Sequence, residues 1–177
     1  MARTHIGTGK PVPPVVISAR QVLRRDNRTP QMSVQAFAGE EAVLLIQNDG
    51  GDAEFRAEGQ IVGISPGNIR HTAPYQMRWR NPKDHKTVRS HNVVITNGER
   101  LKLILASYSS GGDWGKPGLQ IIGDEWVVDD FRYQYGESPI VTIELAISAQ
   151  PALATEWRRQ YSVWIPKDLY AVQVCEA

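Results

Sequence analysis

Trp114 stands in the glycine-rich run Ser109-Ser110-Gly111-Gly112-Asp113-Trp114-Gly115-Lys116-Pro117-Gly118, which offers few local neighbours to bury it. An exposed indole on such a loop can stack on sugars or anchor a partner. The simpler account folds the loop back, so that Trp114 plugs an open end of the fold. A second candidate is the basic aromatic segment from Arg70 to Arg89. Tyr75, Met77 and Trp79 alternate there with Gln76, Arg78 and Arg80. A nucleic-acid platform needs aromatic and basic groups on one surface. Alternation separates them, so the aromatic side is expected to face the core. Arg78 and Arg80 then face outward, where they could recognise an acidic partner.

The remaining chemical motifs have plainer readings. Gly63-Ile64-Ser65-Pro66-Gly67 has the spacing of a serine-hydrolase elbow, but the residue after Ser65 is Pro66, which has no N–H to stabilise an oxyanion. It reads as the turn ending a strand. Gly7-Thr8-Gly9-Lys10 lacks the first glycine and the hydroxyl residue of a phosphate loop, with Thr4 and Pro11 in their places. His71, His85 and His91 share a basic region without metal-ligand spacing or a nearby set of carboxylates. Asp129 and Asp130 would point to opposite faces of a strand, so they could not flank one bond. No catalytic residue, metal ligand or cofactor is assigned.

These residues hang on a succession of short strands. Ala42–Gln47 is an apolar run closed by Asn48-Asp49-Gly50-Gly51. From Ala53, the residues Ala53, Phe55 and Ala57 alternate with Glu54, Arg56 and Glu58, the period-two pattern of a strand with one wet face. Val15–Ser18, Met32–Phe37, Tyr75–Arg80, the VVIT run, Leu101–Tyr108, LQII, EWVV, Val141–Ile147 and Tyr161–Ile165 read as further strands. Asn97-Gly98 marks a turn, and Gly123-Asp124 suits a two-residue type II′ hairpin. Trp79, Trp126 and Trp164 fall in strand-like runs and are expected to pack internally. Ala152–Gln160, opened by Pro151, has the composition of one short helix. The expected fold is an all-β, immunoglobulin-like sandwich of eight or nine strands, with that helix near the C-terminus. Residues 1–14, rich in proline and glycine, read as a flexible lead-in, and residues 15–177 as one domain.

The formal net charge is only +1, yet charge is segregated in blocks: residues 1–30 hold six basic and one acidic, and residues 70–102 hold eight and two. The intervening and following stretches are acidic, so neighbouring strands can pair charge across a sheet. A near-neutral total argues against a dedicated polyanion binder. No run approaches the length needed for a transmembrane helix, and no secretory apolar core precedes residue 21. With the single Cys175, this predicts a cytoplasmic protein, barring a targeting segment outside this sequence.

VLLIQNDGGDAEFRAEG followed by VVITNGERLKLIL, about residues 42–106, resembles bacterial immunoglobulin-like domains of the cell-adhesion-related kind. There a strand ending near Asn-x-Gly leads into the next, and a Gly-Glu pair, here Gly98-Glu99, enters a strand of the opposing sheet. Asn97 stands where such domains often have proline. Such domains run near a hundred residues and usually sit in exported proteins, whereas this chain continues through three further strands. The resemblance implies a scaffold for non-catalytic contact and brings no catalytic residue. The expected function is therefore a binding or structural module that contacts a protein partner, or a second copy of itself, through strand edges. Trp114, Arg78 and Arg80 are its candidate contact residues. The alternative is a carbohydrate-binding accessory module using exposed tryptophans. A third is a small hydrolase, which would need one of the three histidines beside an acid or nucleophile.

Overall fold

The computed structural model describes residues 29–84, 86, 91–111, 115–124, 126–133, 136–153, 155–167 and 169–177. Those residues form twelve strands and no helix. They are β1 (Met32–Phe37), β2 (Glu41–Asn48), β3 (Ala53–Ser65), β4 (Tyr75–Gln76), β5 (Arg78–Arg80) and β6 (Asn92–Ile95). After them come β7 (Arg100–Ser109), β8 (Gly118–Ile122), β9 (Val127–Arg132), β10 (Ile140–Gln150), β11 (Trp157–Trp164) and β12 (Gln173–Glu176). The count exceeds eight or nine because β4, β5, β6 and β12 are pieces of two to four residues. The expected strand at Val15–Ser18 lies outside the described residues.

All pairings are antiparallel. Sheet I has the order β1-β2-β7-β8-β9, with β5 also on β7; sheet II has β12-β11-β10-β3-β4, with β6 also on β3. Alternation drives both. Ala42, Leu44 and Ile46 of β2 and Leu101, Leu103 and Leu105 of β7 meet Phe55, Ile61, Val141, Ile143 and Leu145 in one buried cluster between the sheets. Burying a Leu- or Ile-sized side chain contributes about 1.5–3 kcal/mol, so period-two apolar spacing suffices to fix which face turns inward.

The turn signals do something other than close hairpins. Asn48-Asp49-Gly50-Gly51 carries the chain from β2 in sheet I to β3 in sheet II, and Asn97-Gly98 carries it from β6 in sheet II to β7 in sheet I. Both are arches at the same end of the sandwich. Asn48, fully buried, ties them together: its Nδ2 donates to Gly51 O and Ile95 O, each at 2.8 Å, and its Oδ1 accepts from Gly50 N at 3.1 Å. Its backbone N donates to Glu99 O at 3.1 Å and its O accepts from Gly98 N at 2.6 Å. Gly98 sits at φ +78°, a left-handed conformation that favours glycine.

A third crossing occurs within six residues. β4 pairs with β3, β5 pairs with β7, and Met77 stands at the change of sheet, its N–H bonded to Ala57 O at 3.1 Å. Gly59 faces inward on β3 and leaves this room: a Cβ there would lie 2.7 Å from both Met77 Sδ and the Tyr75 ring. On the opposite flank, Gly39 and Val172 exchange both backbone hydrogen bonds and link the two sheets.

Two expectations are corrected. Ala152–Gln160 holds no helix among its described residues; β11 begins at Trp157, opposite Ile147 of β10. Ladder pairing and burial of alternate side chains override the local helix preference. The Gly123-Asp124 pair does not form a two-residue turn: Ile122 pairs with Val127, and the loop spans four residues, 123–126.

Candidate functional site

The outward face of sheet I is built by β2, a strand apolar on both sides. Residues 42, 44 and 46 point into the core, while Val43 and Leu45 point out and are half-buried. Directly paired residues share a face, so register places three rows there. Phe37, Val43, Ile104 and Arg78 make one; Gln35, Leu45, Lys102 and Arg80 the next; Ser33, Gln47 and Arg100 the last. Phe37 is 47% exposed, whereas Ile104 is fully buried.

Over these rows lies a groove of about 700 Å³, floored by Phe37, Val43 and Leu45 and rimmed by Lys83, Arg100 and Lys102. Its size falls within the range of ligand sites. Glu99, the acid at its mouth, is turned to the arch, where its Oε2 accepts from Thr96 N at 3.0 Å and Thr96 Oγ1 at 3.1 Å. Arg100 donates to Gln47. Among the described residues Lys83 and Lys102 have no acid within ion-pair distance. The groove thus combines an apolar floor with uncompensated positive charge. Among the described residues lining it there is no histidine, cysteine, serine or threonine.

The groove adjoins β1, an edge strand of sheet I among the described residues. Its six residues, Met-Ser-Val-Gln-Ala-Phe, include no charge and no proline, the two devices that usually blunt an edge strand. Among the described residues, the only strand paired along β1 is β2.

Of the residues singled out in the sequence, Arg78 and Arg80 do lie on this face. Both are engaged: Arg78 Nε donates to Asp124 O at 2.8 Å, and Arg80 Nη1 pairs with Glu41 Oε1 at 3.0 Å. Neither is among the residues that line the groove. Trp114 and His85 lie outside the described residues. Trp79 is fully buried as expected, but Trp126 is 57% exposed, contrary to expectation, because the four-residue loop ends on it before β9 begins. Ser65 ends β3 at an exposed turn. Asp130 is committed to Arg132, at 2.7 Å. His71 and His91 do share a pocket, with Asp124. His91 Nδ1 meets Asp124 Oδ2 at 2.8 Å, and among the described residues lining that pocket there is no serine, threonine or cysteine. Burial drives the Tyr75 hydroxyl there well above its ordinary pKa and keeps it neutral. Among the described residues no three potential ligands gather around a metal position, and no helix is long and apolar enough to cross a membrane.

Sequence reasoning missed the groove, although one signal was present. AVLLIQ is a continuous apolar run, and the outward-facing members of such a run need cover from something. No family model, curated protein or solved structure matches this chain.

Proposed function

We propose that this chain is a non-catalytic, immunoglobulin-like binding module. It holds a protein partner at the β1 edge and in the groove beside it. The observation that carries the reading is the junction of an uncharged edge strand with an apolar, positively rimmed groove. An extended partner segment adds a strand to β1 through main-chain hydrogen bonds, and its alternate side chains lie over Phe37 and the groove floor. Carboxylates on that segment meet Lys83, Arg100 and Lys102, which steers encounter and fixes orientation. The immunoglobulin-like assignment is supported by the two face-to-face antiparallel sheets and by Gly98-Glu99 leading into β7.

Selection from a random peptide library displayed against the full chain tests this. Selected peptides should be extended, alternate apolar with other residues and carry acids. Bound peptide should protect the β1 amides from hydrogen exchange. Peptides that bind undiminished to both Phe37→Glu and Lys102→Glu, or that leave β1 exchange unchanged, would overturn the proposal.

A further inference from the structure

A second cavity, of about 400 Å³, lies on the flank where β4 hands the chain to β5. Asp124 and Trp126 form part of its wall, and their backbone is anchored. Gly123 N donates to Trp126 O at 3.0 Å, Asp124 N to Gln76 O at 2.9 Å, and Arg78 Nε to Asp124 O at 2.8 Å. The exposed Trp126 indole is therefore presented on a braced loop. It meets the His71 ring edge-on at 6.0 Å, and His71 meets Tyr75 edge-on at 6.3 Å.

Polar groups converge on the same place. The His91–Asp124 pair forms part of the lining, and three lining residues carry buried polar atoms without a hydrogen-bond partner: His71 Nδ1, Tyr75 Oη and Gln76 Oε1. Tyr75 is itself 95% buried, its relative exposure being 5%. Those three atoms are closed off from solvent; what the cavity itself presents is the exposed Trp126 indole beside the side chains of His71, His91, Asp124 and Gln76, an apolar plane next to donors and acceptors. Among the described residues no lysine or arginine lines the cavity, and the Asp124 carboxylate on its wall disfavours phosphorylated or carboxylated ligands.

We propose that this cavity binds a neutral saccharide. A sugar ring offers an apolar C–H face to the Trp126 indole and a rim of hydroxyls, each able to donate and to accept. Those hydroxyls meet Asp124, His91, Gln76 and His71. The cavity volume lies within the range of small-molecule sites. The site is separate from the β1 edge and its groove, so the two proposals stand or fall independently.

The full chain, labelled at exposed Cys175, is screened on an array of neutral and acidic glycans, and the strongest ligand is then measured by calorimetry. Binding to one or more neutral glycans is expected. Trp126→Ala should weaken it about tenfold or more, Trp126→Phe should recover part of the loss, and Phe37→Glu should leave it unchanged. Thermal melting of Trp126→Ala checks that the fold is intact. The proposal is overturned if no neutral glycan binds, or if folded Trp126→Ala binds as tightly as the parent chain.

Discussion

The two sheets present opposite kinds of surface to solvent. On sheet II the outward residues of β3, Glu54, Arg56, Glu58 and Gln60, are answered by Glu144 on β10 and by Arg158 and Gln160 on β11. These charges satisfy each other. Arg158 pairs with Glu144 at 2.5 Å, Arg56 with Glu58 at 2.6 Å, and Gln76 donates to Glu58 at 2.8 Å. The outward rows of sheet I hold Phe37, Val43 and Leu45, and among the described residues Lys83 and Lys102 beside them have no acid within ion-pair distance. Sheet II also exposes Val94 and Ile140, but on a face that carries paired charges, whereas sheet I gathers its outward apolar residues over one groove. Both strand sets obey the same inward alternation, so the core cannot explain the difference. It resides in the outward residues.

The contrast requires that the sheets keep fixed faces, and Asn48 is the lock. Asn48→Ala leaves Gly51 O, Ile95 O and Gly50 N without their side-chain partner, and a loss of about 3 kcal/mol in chemical denaturation is expected. A loss below about 1 kcal/mol would mean that the arches hold without it. Next in size is the groove: Leu45→Lys should abolish binding of selected peptides, a change of tenfold or more. Folding stability should shift by less than about 1 kcal/mol, since Leu45 is only half-buried. The mirror substitution on sheet II, Arg158→Ala, should leave peptide binding unchanged and barely move the melting temperature, because exposed ion pairs contribute little. Any loss of binding there would erase the distinction between the faces.

The smallest effect is in pH. Hydrogen bonds from Arg158 and Gln160 hold the Glu144 carboxyl below its ordinary value of 4.5. A carboxyl depressed in the folded state adds stability above its unfolded pKa and loses it as pH falls through the folded one. Melting measured from neutral pH downward should therefore hold near neutrality and drop below about pH 4.5. Glu144→Gln should lower the neutral plateau slightly and flatten that part of the fall. An unchanged acid limb in the variant would assign the drop to other carboxylates.

The inward half of the molecule was legible from the sequence. Ala53-Phe55-Ala57, Tyr75-Met77-Trp79 and Val141–Ile147 announce their buried faces by alternation alone, because burial energy acts on each residue independently of what comes after. Connections were not legible. Asn48–Gly51 and Asn97-Gly98 have the composition of tight turns in either use, and only long-range pairing decides between a hairpin and an arch. Trp126 was misplaced by a boundary error of two residues at the start of β9, enough to move an indole from core to surface. The helix expected near residue 155 failed because composition there speaks only of local preference, while β10 offers a partner. Of the candidate site, Arg78 and Arg80 were correctly sent outward, but their partners Asp124 and Glu41 are distant in sequence. The groove was written in AVLLIQ and could be interpreted only once β1, β5 and β7 were known to flank it.

The longest ladder in the molecule joins residues 54–65 to residues 140–150. Its consequence belongs to biosynthesis. When β3 leaves the ribosome, its main partner has not been translated, and β10 in turn carries β11 and β12. Sheet II therefore cannot close until almost the whole chain has emerged. Until then, Phe55 and Ile61 face solvent beside the equally apolar β2. Such late, non-local closure makes folding slow and leaves the nascent chain dependent on protection from aggregation. Truncations that stop before β10 are expected to accumulate as insoluble protein rather than as a smaller sandwich.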